Sequence, residues 1–131
     1  MLKKAEETLK ESPLPCEMME ADLNKDLSIT QASVVVMNYT LQFVQPANRK
    51  IILETIYNGL VPGGSLVLIE KVESKIPNLN KTFIEFHHQF KEEKGYSKLE
   101  ISQKREALEN VLIPWTVEQN KDHLQSAGFS T

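Results

Sequence analysis

The stretch Leu60-Val-Pro-Gly-Gly-Ser-Leu-Val-Leu-Ile69 carries the pattern that decides the fold class of this chain. Its Pro-Gly-Gly sequence favours a turn over residues 61–64, and the apolar run from residue 65 onward is typical of a buried strand. A similar run, Ser33-Val-Val-Val-Met37, stands upstream and is rich in β-branched residues. Continuous runs of this kind predict strands that are covered on both faces of a sheet.

Helical patterns separate and follow these strands. Pro46 suits the first turn of a helix, which is expected to close at Gly59. Further elements are predicted as a helix over 1–11, a short strand over 16–20, and helices over 78–94, 97–112 and 116–126, the last capped by Gly128. Strands that alternate with helices indicate an α/β fold with a parallel sheet, whose ligands bind at the carboxyl ends of the strands.

Composition narrows the class of protein. The chain has 131 residues, enough for one domain, and a net charge of −3 gives it no overall basic field for direct nucleic-acid binding. A single cysteine, Cys16, cannot form an intrachain disulfide, and no apolar run has the length of a membrane span. The residues after Met1 lack the apolar core of a signal peptide. We therefore expect a cytoplasmic protein without a membrane segment.

Several motifs together resemble one known family. An acidic residue after the first predicted strand, a Val-rich strand ending in Asn38 and the Leu60–Leu66 motif are similar to class I methyltransferases. Three further stretches look like the carboxy-S-adenosyl-L-methionine synthases: Asn38-Tyr-Thr-Leu-Gln-Phe43, Phe86-His-His-Gln-Phe-Lys91 and Gly95-Tyr-Ser-Lys-Leu-Glu-Ile-Ser-Gln-Lys-Arg-Glu-Ala-Leu-Glu-Asn110. The last stretch is the most specific, and the resemblance covers nearly the whole chain.

The resemblance implies a fragment of a Rossmann-like fold. Residues 1–131 would form a partial methyltransferase-like domain that holds strands 3, 4 and 5 of the parallel sheet, their flanking helices and a helical insertion after strand 5. The family's first two strands, with a Gly-rich loop, are expected before residue 1, and its last strands after residue 131. None of the five glycines forms a Gly-x-Gly sequence that could replace that loop.

The resemblance also implies an activity. Members of the family convert S-adenosyl-L-methionine and prephenate into carboxy-S-adenosyl-L-methionine and phenylpyruvate. The product supplies 5-oxyacetyl modification of the tRNA wobble uridine, which a separate enzyme carries out, so no direct nucleic-acid contact is expected. The family resemblance further implies a homodimer. Two other interpretations stay open: an ordinary S-adenosylmethionine-dependent methyltransferase of a small molecule, and an inactive remnant or interaction module.

Three cofactor-binding residues are expected at the strand ends. By resemblance, the Asp22 carboxylate accepts a hydrogen bond from the adenine amino group, with the backbone of Leu23 beside it. Asp22 could instead cap a turn, as aspartates often do. Asn38 ends a buried strand, where polar side chains usually meet ligand in such sheets. The alternative for Asn38 is a structural role in tying down the following loop.

Arg105 is the fourth candidate. Helical spacing places it on one stripe with Ile101, Leu108 and Leu112, so its guanidinium is expected to point inward or along an interface. The resemblance makes its partner the carboxylate of carboxy-S-adenosyl-L-methionine, held in a two-pronged fork that lysine cannot reproduce. The alternative is an ion pair with a neighbouring glutamate such as Glu100.

Other candidates carry weaker signals. His87 and His88 are adjacent on a predicted helix and cannot jointly chelate one ion, so no metal site is expected. One of them could face the pocket. Tyr39 and Trp115 are interpreted as core or interface aromatics rather than ligand platforms. The sequence reveals no general base, so the catalytic residues stay unassigned.

Overall fold

A computed structural model describes residues 2–25 and 27–130 of the chain. Its elements, in chain order, are α1 (Leu2–Leu9), β1 (Ala32–Asn38), a 3₁₀ turn (Leu41–Phe43), α2 (Pro46–Gly59), β2 (Leu60–Ile69), α3 (Pro77–Glu93), α4 (Lys98–Leu108) and α5 (Val117–Ser126). The structure is thus an α/β arrangement of two strands and five α-helices within these ranges. It is compatible with part of a methyltransferase fold.

The two strands form a parallel sheet, as the sequence predicts. Val34 pairs with Ser65 and the register continues without a break to Asn38 and Ile69. Before that point Ala32 pairs with Leu60, so residues 61–64 protrude between the two pairings. Gly63 in this protrusion has φ +80°, a conformation that glycine adopts at no steric cost. The predicted Pro-Gly-Gly turn is therefore built into the start of β2.

Helix α2 connects the two strands and covers one face of the sheet. Pro46 occupies its first turn, and Gly59 ends it in a buried position. A side chain at Gly59 would collide with the backbone of Ile29, so only glycine fits this crossing. A covered strand pair with a helical crossover is the usual construction of parallel sheets.

The core lies between α2 and the sheet face that carries Val35, Met37, Leu66 and Leu68. Its fully buried members are apolar residues of β1, the 3₁₀ turn, α2 and the end of α5: Met37, Leu41, Val44, Ile52, Leu53, Ile56 and Ala127. Alternation along a strand sends every second side chain to the opposite face. The core therefore takes one face of each strand.

Two expectations about the sheet are wrong in this structure. The outward face is not covered, because Val34 and Val36 are 58% and 61% exposed. Residues 16–20, the expected first strand, have no regular secondary structure, so the described sheet has two strands instead of three. Both differences have a related physical reason. A strand needs a neighbouring strand for its hydrogen bonds and a packed layer to bury its side chains. In the described residues, the only layer against the sheet is that of α2, which covers one face.

The last three helices follow the sequence signals closely. Ser97 and Glu100 form a reciprocal capping box at the start of α4, and Thr116 and Gln119 form another at the start of α5. Helix α4 ends at Leu108, earlier than the predicted residue 112. Gly128 follows α5 with φ +108° and completes the expected C-terminal cap.

Candidate functional site

The carboxyl ends of β1 and β2 lie side by side, which is where ligands bind in parallel sheets. Asn38 and Ile69 are the last paired residues, and the backbone N–H of Tyr39 donates to the Ile69 carbonyl oxygen at 2.7 Å. Tyr39 then turns the chain with φ +51°, in the left-handed region. Asn38 and Tyr39 are both exposed. This corner is the centre of the candidate site.

Glu70, the first residue after β2, directs its carboxylate at the loop beyond this corner. Its Oε1 accepts hydrogen bonds from the backbone N–H groups of Thr40 at 3.0 Å and Leu41 at 2.7 Å. Its Oε2 accepts one from the backbone N–H of Gln42 at 3.1 Å. Hydrogen bonds to an ionised acceptor are stronger than neutral ones. One partly buried side chain therefore fixes three successive backbone groups.

Arg49 of α2 holds the same loop from the other side and is 1% exposed. Its Nε donates to the Val44 carbonyl oxygen at 2.9 Å, and one terminal nitrogen donates to the carbonyl oxygens of Gln42 at 3.3 Å and Ile113 at 2.6 Å. Burial lowers the pKa of the Arg49 guanidinium below its usual value, and the charge of Glu70 opposes that effect. The buried cation is thus satisfied mainly by backbone carbonyls.

Trp115 closes this cluster. The Arg49 guanidinium carbon lies 4.3 Å from the centre of the Trp115 ring, and the His123 ring stacks on Trp115 at 4.1 Å. Trp115 also pairs with Val72 just beyond β2, where the Glu73 N–H donates to the Trp115 carbonyl oxygen at 3.2 Å. The groups around Arg49 leave no room there for a water molecule. They support the site and do not form a ligand cavity.

Asp22 occupies a turn close to the start of α2. Its Oδ1 accepts from the Asn24 backbone N–H at 3.0 Å, and its Oδ2 lies 3.2 Å from the Lys25 ammonium. The Asn24 N–H first, and then Lys25, hold the pKa of the Asp22 carboxyl below its ordinary value of 3.8. Asn24 Oδ1 in turn accepts from the backbone N–H of Gln45 at 3.2 Å. The turn is therefore tied to the N-terminus of α2.

This geometry is the turn-capping arrangement that the sequence leaves open for Asp22. The carboxylate is exposed, and a carboxylate has about four lone-pair sites, so it keeps capacity to accept a hydrogen bond from a ligand. Leu23 is partly buried against the core and anchors the turn. The turn that holds Asp22 and Leu23 thus lies beside the start of α2, and α2 follows the strand that ends at Asn38.

Arg105 lies elsewhere. It is exposed on α4, whose buried residue is Ile101, so its guanidinium does not point into the core of this chain. The other expectation, a position along an interface, stays a prediction. The stripe argument fails because Leu112 lies outside the helix and Leu108 is only partly buried. Within residues 2–25 and 27–130, no hydrogen bond or ion pair joins Arg105 to Asp22 or Asn38. The binding of a ligand carboxylate by Arg105 stays a prediction.

The histidines of α3 lie outside the cluster. Burial, followed by the charges of Lys91, Lys71 and His88, lowers the pKa of His87 below its ordinary value of 6.5. In the described part of the chain, no group of three or more histidine, cysteine or acidic side chains could hold a metal ion. No helix there has the length and apolarity needed to cross a membrane.

Sequence reasoning missed the residues that hold the site together. Neither Glu70 nor Arg49 is among the site candidates that the sequence predicts. The sequence does contain a signal for Arg49: it is a charged residue in the first turns of a predicted helix and stands close to the apolar residues Ile52 and Leu53. The hydrogen-bond partners of Glu70 and Arg49, however, could not be inferred from sequence alone.

Curated relatives match almost all of this chain. It is 49% identical over 120 residues to carboxy-S-adenosyl-L-methionine synthase from Aliivibrio fischeri (strain MJ11), a match that covers 92% of this chain and 49% of the relative. The synthase from Salmonella paratyphi C is 48% identical over 118 residues, covering 90% and 47% of the two chains. The synthase from Trichlorobacter lovleyi is 50% identical over 117 residues, covering 89% and 48%.

The chain therefore spans about half the length of the curated relatives that it matches. No family model matches it. The α/β fold described above is compatible with part of a methyltransferase fold, and the sequence identity to these synthases extends over nine-tenths of the chain. On this evidence, the chain belongs to the carboxy-S-adenosyl-L-methionine synthase family.

Proposed function

We propose that the protein to which this chain belongs converts S-adenosyl-L-methionine and prephenate into carboxy-S-adenosyl-L-methionine and phenylpyruvate. The observation that carries this proposal is the 48–50% identity to synthases of that name over about nine-tenths of the chain. In the reaction, the sulfonium methyl group loses a proton, and the resulting carbanion-like carbon forms a bond to the carboxyl carbon that leaves prephenate as CO2. The hydroxyl group of prephenate leaves with that proton as water, which yields phenylpyruvate.

The residues at the sheet edge fit the nucleoside part of the substrate. The exposed, ionised Asp22 carboxylate can accept a hydrogen bond from the adenine amino group, and the Leu23 backbone lies beside it. Asn38 stands exposed at the end of β1, where its amide can donate and accept. Arg105 would bind the new carboxylate of the product. Its guanidinium is exposed on α4, so the proposal requires α4 to bring this group to the carboxylate of the bound product.

We extend the proposal to the use of the product, the location of the enzyme and its assembly. The product would supply 5-oxyacetyl modification of the tRNA wobble uridine without direct tRNA contact by this protein, which agrees with the net charge of −3. We further propose a cytoplasmic homodimer. Exposed aromatic residues on α3 support a protein contact, since Phe83, Phe86 and Phe90 are each more than half exposed. Light scattering tests the dimer.

A hybrid protein tests the activity directly. The matched 120 residues of the Aliivibrio fischeri synthase are replaced by the corresponding residues of this chain, and the purified hybrid is incubated with S-adenosyl-L-methionine and prephenate. Mass spectrometry should detect carboxy-S-adenosyl-L-methionine and phenylpyruvate in equal amounts. The chain by itself is assayed in parallel. A folded hybrid that forms neither product would overturn the proposal.

An ordinary small-molecule methyltransferase is the second candidate. It shares the expected use of Asp22 and Asn38 and differs from the synthase in making no use of Arg105. The substitutions Arg105→Lys and Arg105→Ala in the hybrid separate the two. If the synthase proposal holds, both weaken carboxy-S-adenosyl-L-methionine and leave S-adenosyl-L-methionine nearly unchanged, because only the former has an anion for the fork. Equal weakening of both ligands favours the methyltransferase.

Asp22→Ala in the same hybrid tests the adenine contact. Adenine is common to both ligands, so both affinities should fall to a similar degree, by roughly ten- to a hundredfold for a hydrogen bond to a charged group. Lys25→Ala is the matched control, because it removes the ammonium group that pairs with Asp22 and leaves the Asp22 carboxylate in place. Unchanged affinities in Asp22→Ala would assign Asp22 to turn capping alone.

A further inference from the structure

The corner at Tyr39 has a strained backbone. A non-glycine residue at φ +51° is energetically unfavourable and persists only where the surroundings hold it. Tyr39 is 56% exposed, so burial of this residue does not hold the conformation. Hydrogen bonds must do so. They are the Tyr39 N–H to Ile69, the Thr40 hydroxyl to the Asn38 carbonyl at 3.1 Å, and the three that Glu70 accepts.

Glu70 is the side chain best placed to impose this conformation. It follows β2 directly, so its position is set by the sheet itself, and it reaches across to the loop that follows β1. Its two oxygens accept from the three N–H groups immediately after Tyr39. Strained backbone at a ligand-binding edge commonly indicates a conformation kept for function.

We propose that Glu70 is a positioning residue for the S-adenosyl-L-methionine site: it fixes the left-handed corner at Tyr39 and thereby sets the place of Asn38 at the carboxyl edge. This inference rests on the proposed function for the identity of the ligand. Glu70 acts through Asn38 and the corner, and its carboxylate is occupied by the loop. It is therefore not assigned a catalytic role.

Glutamate is the side chain that this arrangement requires. Glutamine would keep the length and could still accept from Thr40 and Leu41 through its one carbonyl oxygen. Its amino group would then face the Gln42 N–H, donor against donor. The substitution would also remove the negative charge that raises the pKa of Arg49 against the lowering caused by burial. Glu70→Gln thus loosens the loop while preserving the shape of the side chain.

Hydrogen exchange of the intact chain tests the first half of the proposal. In Glu70→Gln, the amides of Thr40, Leu41 and Gln42 should exchange roughly ten- to a hundredfold faster, the loss expected for hydrogen bonds to a charged acceptor. Amides of the α2 core, such as that of Leu53, should change far less. Glu73→Gln is the control on an exposed neighbour. Uniform acceleration of all amides would make Glu70 a general stability residue and overturn the proposal.

A compensating substitution keeps this test decisive if Glu70→Gln is poorly folded. Glycine adopts positive φ without steric cost, so Tyr39→Gly should relieve the strain that Glu70 holds in place. Protection of the Thr40 and Leu41 amides, which keep an acceptor in Glu70→Gln, should then recover in the double variant. Failure of Tyr39→Gly to restore any protection would show that Glu70 does not act on the corner.

Ligand binding by the hybrid tests the second half. Glu70→Gln should weaken S-adenosyl-L-methionine about tenfold, and adding Asn38→Ala should cause little further loss, because both act through one contact. Additive losses would show that Glu70 does not act through Asn38 and would overturn the proposal. If the unsubstituted hybrid binds no S-adenosyl-L-methionine, the proposed function and the ligand part of this inference fall together. Exchange data still decide the role at the corner.

Discussion

The Arg49 guanidinium lies 2.6 Å from the carbonyl oxygen of Ile113, a residue 64 positions further along the chain. This bond joins the helix between the two strands to the segment that leads into α5. The same guanidinium binds the loop after β1 and stacks on Trp115. A single buried side chain therefore ties together three segments that are distant in sequence.

Removal of Arg49 should destabilise the chain more than removal of its exposed neighbour. Arg49→Ala deprives the Val44 and Ile113 carbonyls of this donor, and a buried polar group without a partner costs about 1–3 kcal/mol. We expect the free energy of unfolding to fall by at least that amount in urea titrations followed by circular dichroism. Arg49→Lys should be intermediate, because lysine lacks the planar fork.

Lys50→Ala is the matched control for that experiment. Lys50 is exposed and forms one ion pair with Glu54 at 3.7 Å. Exposed pairs of this kind contribute about 0–1 kcal/mol. Equal stability of Arg49→Ala and Lys50→Ala would show that the buried contacts of Arg49 contribute nothing.

Two glycines with positive φ should respond differently to alanine. Gly95 has φ +90° with open space where a side chain would lie, whereas Gly128 has φ +108° and a Cβ there would come within 2.7 Å of the Tyr57 ring. Tyr57 packs edge-on against Phe129, so moving it away would disturb that ring contact. Gly95→Ala should cost about 1–2 kcal/mol from backbone strain alone. Gly128→Ala should cost more, and equal shifts in melting temperature would contradict this.

The titration of His87 should depend on Lys91. Burial is the larger cause of its lowered pKa, and Lys91 is the next. Lys91→Gln should therefore raise the His87 pKa part of the way towards 6.5, as measured by NMR of the imidazole protons. Lys81→Gln, which removes a lysine paired with Glu85 on the same helix, should leave it unchanged. The idea fails if both substitutions have the same effect.

The sign of the pH effect on stability follows from that shift. The folded-state pKa of His87 lies below its ordinary value, so the unfolded chain takes up the proton first as pH falls. The contribution of His87 is therefore present above pH 6.5 and is lost as pH falls through the folded-state pKa. In His87→Gln this component of the pH dependence should be absent.

The capping box of α4 should weaken in acid. Hydrogen bonds from the Ser97 side chain and backbone hold the pKa of Glu100 below its ordinary value of 4.5. A lowered carboxyl pKa stabilises the folded state above 4.5 and loses that contribution as pH falls through the folded-state value. Helical circular dichroism should show an acid transition in the native chain that Glu100→Gln lacks. The Glu92→Gln variant should retain it.

Local signals predicted most of the secondary structure. Pro46 and Gly59 bound α2, Pro-Gly-Gly marks the start of β2, and Gly128 caps α5, because each position has a backbone requirement that can be read within a few residues. The strand expected over 16–20 is absent, since a strand depends on a partner that no local pattern guarantees.

The candidate site was only partly predictable for the same reason. Asn38 was identifiable because it ends an apolar run, and the structure places it at the carboxyl edge. Glu70 and Arg49 act on backbone groups far away in sequence, and their partners are set by how the strands align. Arg105 lies one helical turn after the buried Ile101 and is nevertheless exposed, because the width of the covered helix face depends on which elements pack against it, and helical spacing alone does not give this.

The outward face of the sheet determines how this chain behaves at high concentration. Val34, Val36, Val67 and Ile69 form a continuous exposed apolar surface beside strand edges with free hydrogen-bonding groups in the described two-stranded sheet. Such edges accept further strands from other molecules. We therefore expect association of folded molecules, rather than unfolding, to limit the solubility of this chain. This association should begin at β1.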